Sequence, residues 1–169
     1  EYGGQGLPRL INTALFDIWN AANLSFALCN TLTDSATSLL NLHGTEDQRT
    51  LYLTRLLSGE WTGAMAMTEP HAGSDVGALS CSAHPDGDAY RVKGQKIFIS
   101  WGDHDLTDNI VYLVLARLPD APPGSNGISL FVVPKFVPDE NGNPGARNDV
   151  ACIALEKKLG IHASPTCVM

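Results

Sequence analysis

The spacing of apolar residues changes at Gly59, and this change constrains the possible fold of the chain more than any other feature. Before this glycine, apolar residues recur every three to four positions, which places them on one face of a helix. After it they alternate with polar residues, and β-branched side chains become common, as in strands. The sequence therefore predicts an α+β fold, with a helical segment over residues 1–60 and a β domain over residues 61–169.

Three helices are predicted in the first segment. The second runs over residues 34–43, and we expect Gly44 to end it in the left-handed conformation that glycine readily adopts. Thr45 opens the third helix, because a threonine followed three residues later by Gln48 can form a capping box. The first begins at Leu10, and its apolar face consists of Ile11, Ala14, Leu15, Ile18, Trp19 and Ala22.

The second segment is predicted to be built from strands. Asp86-Gly87-Asp88 is a tight-turn sequence between two of them, so that pair should form an antiparallel hairpin. No segment long enough for a crossover helix separates the strands, which argues against a parallel α/β sheet and favours an antiparallel barrel or sandwich. The strands are predicted over residues 62–68, 79–84, 89–100, 110–117, 128–133 and 150–155.

Composition and charge disfavour several classes of protein. The formal net charge of −7 disfavours nucleic-acid binding, and no apolar run approaches the roughly 20 residues of a membrane-spanning helix. The N-terminus lacks a basic region followed by an apolar stretch, so no targeting segment is expected. The four cysteines lack the short spacings of zinc or redox motifs and are expected to be mostly buried, in a reducing compartment. The chain starts at Glu1 and ends at Met169 without a tail, so we expect it to be cut from a longer protein.

The stretch AMAMTEPHAGSDVG, residues 64–77, passes abruptly from an apolar strand into a loop of small residues. Pro70 removes a ladder donor, Gly73 lets the backbone approach a ligand closely, and Ser74 adds a hydroxyl beside exposed N–H groups. Such a loop can hold a phosphate, and Asp75 is expected to cap the turn that follows. On this loop alone, however, an ordinary connection between a strand and a turn is the better explanation.

Asp103-His104-Asp105 has the composition of a metal site. Consecutive residues of a loop rarely converge on one ion. We therefore interpret this group as a polar loop and expect no metal site.

Two longer segments resemble those of a known family. MAMTEPHAGSDV at residues 65–76 closely resembles the signature of the acyl-CoA dehydrogenase family, and VKGQKIFISWG at residues 92–102 resembles its second flavin segment. Within the family, the chain is most similar to the branch containing methylmercaptopropionyl-CoA dehydrogenases and related broad-range bacterial enzymes. The resemblance covers essentially the whole chain, because other segments follow the family in the same order: EYGGQGL at residues 1–7, HGTEDQRTLYLTRLLSGEW at 43–61 and LEKKLGIHASPT at 155–166.

The resemblance implies a helical N-terminal domain, a middle β-barrel and a C-terminal four-helix domain, with FAD held between the last two. This chain would contain the end of the first domain and most of the second, and the C-terminal domain would be absent. The catalytic base would be a Glu of that absent domain, so no catalytic residue is expected here. By matching positions, the cofactor-binding residues would be Met65, Met67, Thr68, Gly73, Ser74, Phe98, Ile99 and Ser100.

The individual roles also follow from the resemblance. Ser74 would meet phosphate or the acyl-CoA substrate, and the hydroxyls of Thr68 and Ser100 would donate to the flavin. Phe98 stands where the family commonly has a Trp against the flavin ring. Without the family, Phe98 would be explained as a core aromatic residue and Ser100 as a strand-end hydroxyl.

The resemblance implies FAD-dependent α,β-dehydrogenation of an acyl-CoA thioester to the trans-2-enoyl-CoA, within fatty acid β-oxidation. An acyl-CoA oxidase and a non-catalytic flavin or acyl-CoA binding fragment are the alternatives. The expected partners are the acyl-CoA substrate and electron-transfer flavoprotein or a similar acceptor, with no nucleic acid. A homodimer or homotetramer in the bacterial cytoplasm is expected for the full-length protein.

Two details stay open at the level of the sequence. His162 stands where many members of the family have Arg, which leaves in doubt the charge interaction that the Arg makes. Leu28, Leu32 and Thr33 could line an acyl pocket, or the two leucines could simply belong to a helix core.

Overall fold

The computed structural model describes Tyr2 and residues 5–169. The predicted motif at residues 1–7 therefore lies partly outside the described residues. The helical part consists of α1 (Arg9–His43), α2 (Glu46–Gln48), a π-helical turn (Arg49–Leu53) and α3 (Thr54–Ser58). Among the described residues, no helix combines the length and the apolar character needed to cross a membrane.

The first two predicted helices form one long element, α1, with a break at Asn23. Asn23 has non-helical dihedral angles, φ −158° and ψ 88°. Its Oδ1 accepts a hydrogen bond from the N–H of Phe26 at 3.1 Å. An asparagine bonded to the N–H three residues ahead acts as a helix N-cap. The second half of α1 therefore starts directly after Asn23, well before the predicted residue 34.

The helix at residue 46 begins as predicted, but the helix before it ends differently. Thr45 Oγ1 accepts from the N–H of Gln48 at 3.2 Å, and Gln48 Oε1 accepts from the N–H of Thr45 at 3.0 Å, which is the capping box. The prediction that Gly44 is left-handed is wrong, because its φ is −67° and its ψ is 151°. A Cβ at Gly44 would lie 2.5 Å from the carbonyl oxygen of Leu40, so close approach explains this glycine.

The described strands form three sheets. The largest has the order β1-β5-β2-β3, with β6 paired to the other edge of β5; the second has the order β4-β10-β9, and β7 pairs with β8. The strands are β1 (Trp61–Ala66), β2 (Ser82–Asp86), β3 (Ala89–Lys93), β4 (Ile99–Ser100), β5 (Asn109–Arg117), β6 (Ile128–Pro134), β7 (Phe136–Pro138), β8 (Pro144–Arg147), β9 (Ala154–Leu155) and β10 (Thr166–Val168).

The largest sheet is mixed rather than antiparallel. β1 and β5 run parallel in register from Trp61 opposite Asn109 to Ala66 opposite Val114, whereas β6 pairs with β5 antiparallel. The connection from β1 to β5 contains the β2–β3 hairpin and β4 instead of a helix, which is why the absence of a crossover helix misled the prediction. Within the described residues the three sheets do not close into a barrel.

The predicted strand 89–100 is divided between two sheets. β3 pairs with β2 in the predicted hairpin, whose turn has Gly87 at φ +62°. β4 pairs with β10 instead. A Cβ at Gly94 would lie 2.7 Å from Cys81 Sγ, so glycine lets the chain pass close to Cys81 as it leaves the sheet. Predicted strands 79–84 and 150–155 are present only in part, as β2 and β9.

Two buried clusters fix the position of the strands that carry the predicted site. One cluster joins β1, β4, β5 and β10, and the other joins the helices to β1 and β5. Cys29, Cys81 and Cys167 are buried and Cys152 is half-buried, all with free thiols, as the sequence predicted. The first cluster consists of Ala64, Ala66, Ile99, Ile110, Tyr112, Val114 and Cys167, and the second of Leu40, Tyr52, Leu53, Leu56, Trp61 and Val111.

Helix α1 packs directly against β1 at Gly63. The N–H of Gly63 donates to Thr33 Oγ1 at 3.1 Å. A Cβ at Gly63 would lie 2.5 Å from the Cβ of Ala36, and Ala36 is fully buried. The contact between helix and strand therefore requires a residue without a side chain at position 63.

Substitution Gly63→Ala should lower the free energy of unfolding of the intact protein by about 1–3 kcal/mol, because the added methyl group overpacks this contact. Urea-induced unfolding measures the change. Gly160→Ala is the matched control, since a Cβ there has no atom within 4 Å. The double variant Gly63→Ala/Ala36→Gly should regain part of the loss, and a loss that stays unchanged in it would contradict this explanation.

Candidate functional site

The end of β1 and the segment leading into β4 lie side by side. The carbonyl oxygen of Thr68 accepts a hydrogen bond from the N–H of Ile97 at 2.8 Å. Strand β4 follows this second segment, and its Ser100 lies opposite Thr166 in the β4–β10 pair. The fold thus brings together six of the predicted site residues, Met65, Met67, Thr68, Phe98, Ile99 and Ser100.

These six residues differ in how far their side chains are exposed to solvent. Met67 is 41% exposed and Phe98 is 57% exposed. Met65, Thr68 and Ser100 are half-buried. Ile99 is 1% exposed and packs in the core cluster with Ala64 and Ala66, so its side chain belongs to the core. Met67 and Phe98 therefore offer exposed apolar side chains, Thr68 and Ser100 carry half-buried hydroxyls, and only the backbone of Ile99 is available to a ligand.

The backbone of Phe98 adopts an unusual conformation. Its φ is +59°, in the left-handed region that bulky residues rarely enter. Such conformations cost about 1–3 kcal/mol and persist where the surrounding structure imposes them, often at functional sites. The Ile97–Thr68 hydrogen bond precedes Phe98, and the pairing of β4 follows it. The fold therefore holds an aromatic ring in an exposed position beside Thr68.

A buried ion pair also connects the end of β1 with the segment that leads into β4. Lys96 Nζ donates to Glu69 Oε1 at 2.8 Å and to the carbonyl oxygen of Met67 at 3.0 Å. The two side chains are 5% and 2% exposed. Sequence reasoning missed this pair, although each partner lies within one of the two family segments. The pair fixes the Met67-Thr68 backbone relative to the segment that carries Phe98.

Glu69 is an ionised structural group. Burial by itself raises the pKa of Glu69, but hydrogen bonds from Lys96, from Ser80 and from the backbone of Cys81 outweigh burial and lower the pKa to about 2. Oε2 accepts from Ser80 N–H at 2.7 Å and from Ser80 Oγ at 2.9 Å, and Oε1 accepts from Cys81 N–H at 3.0 Å. A carboxylate with these partners is a poor acceptor for a substrate proton.

The loop after Glu69 leads into a cleft of about 440 Å³. Ser74 lines this cleft, and Gly73 comes directly before it. The nearest atom to a Cβ built on Gly73 is Thr68 Cγ2 at 4.0 Å, so packing within the described residues does not require glycine there. The full lining consists of Ser74, Asp75, Val76, Gly77, Ala78, Gly124 and Ser125.

The prediction that the side chain of Asp75 caps the following turn is wrong. Within the described residues its carboxylate makes no capping hydrogen bond to the 3₁₀ turn Val76–Ala78. The backbone closes the turn instead, through the N–H of Ala78 and the carbonyl oxygen of Asp75 at 3.2 Å. Asp75 is exposed at the edge of the cleft.

Arg117, at the end of β5, connects the two walls of this cleft, which are residues 74–78 on one side and Gly124 with Ser125 on the other. Its guanidinium donates to the carbonyl oxygens of Leu79 at 3.0 Å, Pro122 at 3.1 Å and Gly124 at 2.8 Å, and also to that of Gly77. Sequence reasoning missed this residue, because a single arginine at a strand end gives no sign of four backbone partners.

Comparison with protein families agrees with the predicted resemblance. Residues 64–169 match the family model described as acyl-CoA dehydrogenase, middle domain, and residues 1–60 match the one described as acyl-CoA dehydrogenase, N-terminal domain. The chain belongs to the acyl-CoA dehydrogenase family. A relative from this family, 3-methylmercaptopropionyl-CoA dehydrogenase of Ruegeria pomeroyi, is 50% identical over 170 residues, which are 100% of this chain and 29% of the relative. The chain therefore spans less than a third of the length of that relative.

Solved acyl-CoA dehydrogenase structures have the same fold. The crystal structure of acyl-CoA dehydrogenase from Geobacillus kaustophilus is 32% identical, with a TM-score of 0.75 over 99% of this chain and 40% of that chain. The crystal structure of acyl-CoA dehydrogenase complexed with FAD from Bacillus anthracis is 27% identical, with a TM-score of 0.72 over 99% of this chain and 26% of that chain.

In this member of the family, Asp103 and His104, which were considered for a metal site, make polar contacts with other residues of the chain. Asp103 pairs with Lys135 at 2.6 Å. His104 Nδ1 accepts from the N–H of Leu106 at 3.3 Å, and its Nε2 lies 3.1 Å from Thr62 Oγ1. Burial, and then the charge of Lys135, lower the pKa of His104. Within the described part of the chain, no group of three or more His, Cys, Asp or Glu side chains could hold a metal ion.

Residues considered for an acyl pocket lie elsewhere, along α1. Leu28 and Leu32 are half-buried. The hydroxyl of Thr33 is engaged, because it accepts from Gly63 and donates to the carbonyl oxygen of Cys29 at 2.9 Å. His162, at the position where many family members have Arg, is exposed.

Proposed function

We propose that this chain supplies the flavin-facing and acyl-CoA-facing surface of an FAD-dependent acyl-CoA dehydrogenase, which converts an acyl-CoA thioester to the trans-2-enoyl-CoA. The observation that carries the proposal is the hydrogen bond between Thr68 and Ile97, which brings the segment with exposed Met67 and with Thr68 next to the segment with exposed Phe98 and with Ser100. FAD, when bound, accepts the hydride that leaves the β-carbon of the substrate.

The residues present fit a flavin. A flavin ring needs an apolar or aromatic face and hydrogen-bond donors for its polar edge. Phe98 offers an exposed aromatic face on a constrained backbone. Thr166 Oγ1, on the strand opposite Ser100, is buried without a hydrogen-bond partner in the described part of the chain. Gly73 leaves open space beside Thr68 for a ligand to approach.

Each side chain has a definite task in this proposal. Thr68 and Ser100 donate hydrogen bonds that stabilise negative charge on the cofactor. Phe98 and Met67 exclude water from one face, which strengthens these hydrogen bonds. Ser74 contacts the CoA portion of the substrate in the cleft. Glu69 is not the base, since it is buried and its pKa is about 2. The α-proton is therefore transferred to a group outside this chain.

The wider setting is also part of the proposal. Electron-transfer flavoprotein or a similar acceptor would reoxidise the enzyme, and the full-length protein would form a homodimer or homotetramer. Family membership supports both statements. A bacterial cytoplasmic setting and a role in fatty acid β-oxidation complete the proposal. The similarity to an acyl-CoA dehydrogenase of the bacterium Ruegeria pomeroyi supports a bacterial source and an acyl-CoA substrate.

The full-length protein should purify yellow and release stoichiometric FAD on denaturation. With an artificial electron acceptor it should convert an acyl-CoA to a product two mass units lighter, measured by mass spectrometry. Substitution Phe98→Ala should weaken FAD binding, whereas Tyr90→Ala, which removes an equally exposed aromatic residue from β3, should not. A folded colourless protein, or one that releases FMN, would contradict the proposal. Peroxide release in air with a poor response to the acceptor would indicate the oxidase.

A further inference from the structure

The two walls of the cleft that contains Ser74 are separate in sequence and are joined by one side chain. One wall is residues 74–78, and the other is Gly124 and Ser125. Arg117 donates to Gly77 and Leu79 on the first side and to Pro122 and Gly124 on the second. A planar guanidinium holds its donors in a fixed fork, so these bonds set the distance and angle between the walls.

The charge of Arg117 is not neutralised by an acid. Its hydrogen-bond acceptors are backbone carbonyl oxygens, and among residues 2 and 5–169 no carboxylate lies within ion-pair distance of it. Arg117 is half-buried next to Gly77 and Gly124 of the cleft lining, and a partly buried charge is screened less than one at the surface. The positive charge therefore favours an anionic ligand in the cleft.

The backbone of the second wall depends on this arginine. Gly124 has φ +75° and ψ −166°, a combination that is essentially restricted to glycine. Its carbonyl oxygen accepts from Arg117 and from the N–H of Gly127 at 3.3 Å. Because a trans peptide directs its C=O and N–H in opposite directions, the N–H of Ser125 points away from Arg117. Ser125 lines the cleft, so Arg117 orients a donor there.

We propose that Arg117 is a positioning residue for recognition of the phosphate-bearing part of the acyl-CoA ligand. It acts through the backbone of the two walls and through its charge, and it does not touch the reacting atoms. Arg117 orients the Ser125 N–H, and Ser74 and Ser125 line the same cleft with their hydroxyl-bearing side chains. N–H and O–H donors suit phosphate oxygens. The carboxylate of Asp75 lies near the same donor, because a Cβ built on Gly77 would be 3.1 Å from Asp75 Oδ1 and 3.3 Å from Ser125 N. The charge of Arg117 offsets the repulsion between this carboxylate and a phosphate. This inference rests on the proposed function.

The test compares two thioesters of the same fatty acid in the full-length enzyme. Butyryl-CoA carries the phosphates, and butyryl-pantetheine lacks them. Arg117→Lys keeps the charge but loses the fork, and we expect it to raise KM for butyryl-CoA about tenfold or more, as for other small misplacements of binding groups. It should leave kcat within about twofold, since the flavin contacts are untouched. KM for butyryl-pantetheine and FAD content should not change.

A second variant changes the backbone of the second wall while Arg117 itself is kept. Gly124→Ala adds a methyl group with no atom within 4 Å but disfavours the backbone conformation. It should give the same selective increase in KM for butyryl-CoA, even if the arginine variants fold poorly. Arg91→Lys, at an exposed ion pair with Asp86 on the β2–β3 hairpin, is the matched control and should change neither KM.

The outcomes separate this inference from the proposed function. A wild-type enzyme without FAD, or without turnover of any acyl-CoA, contradicts the proposed function. An active wild-type enzyme whose variants raise KM equally for both thioesters, or for neither, overturns the role assigned to Arg117.

Discussion

Substitution Lys96→Met should lower the free energy of unfolding of the intact protein by about 3–5 kcal/mol, because it leaves the carboxylate of Glu69 buried without its cation. Lys96 Nζ lies 2.8 Å from Glu69 Oε1, and both side chains are almost fully buried. The Met67 carbonyl oxygen loses a donor in the same step. Urea-induced unfolding measures the change, and Lys93→Met, at an exposed position of β3, is the control and should have little effect.

The pH dependence identifies the cause of this loss. The pKa of Glu69 is lowered from 4.5 to about 2 in the folded protein, so the ion pair stabilises the fold fully above pH 4.5, and this stabilisation is lost as the pH falls towards 2. In Lys96→Met, burial without the cation favours the protonated acid. The difference in unfolding free energy between wild type and variant should therefore shrink below pH 4.5. Lys96→Met/Glu69→Gln should recover part of the loss at pH 7, whereas a deficit independent of pH and unchanged in the double variant would disprove this account.

The largest effect on activity is expected for Ser100→Ala. Ser100 is half-buried in β4, beside exposed Phe98 and opposite Thr166. If its hydroxyl donates to charge that develops during the reaction, its removal should cost about 2.7–4 kcal/mol of transition-state stabilisation, or roughly 10²–10³ in kcat. The KM for acyl-CoA should change much less, because the lost hydrogen bond acts on the transition state rather than on bound substrate. Steady-state kinetics and the reduction potential of the bound flavin measure the two effects.

Two comparisons support the interpretation of this variant. Ser100→Thr keeps the hydroxyl and should retain most of the activity. Ser129→Ala removes a half-buried serine from β6, away from the Thr68–Ile97 junction, and should be neutral. Unchanged kcat and flavin potential in Ser100→Ala, with FAD still bound, would show that Ser100 does not contact the flavin.

Features that depend on neighbouring residues could be predicted from the sequence. The Thr45–Gln48 capping box and the turn at Gly87 follow from residues within four positions of each other. The change of period at Gly59 correctly separated helices from strands, since Gly59 ends α3 with φ +81° and β1 begins at Trp61. The two family segments also correctly indicated the family, because they contain enough specific residues in order.

Features that depend on distant partners could not be predicted in this way. The parallel pairing of β1 with β5 joins strands whose connection contains a hairpin, and strand periodicity is the same for parallel and antiparallel neighbours. Lys96 lies 27 residues from Glu69, and Arg117 lies 38 residues from Leu79. Nothing in the local sequence at either end specifies the other.

The sequence by itself determined the division at Gly59 into a helical segment and a segment of strands, and which family the chain belongs to, because short-range hydrogen bonds and apolar periodicity are properties of nearby residues. The tertiary structure alone decided that Glu69 is a buried structural anion, that Phe98 is held exposed at positive φ, and that Arg117 joins the walls of the cleft. Each of these depends on desolvation and on partners supplied by remote segments. Hydrogen bonds between remote segments form only once the chain has folded, and no local pattern of residues specifies which segments they join.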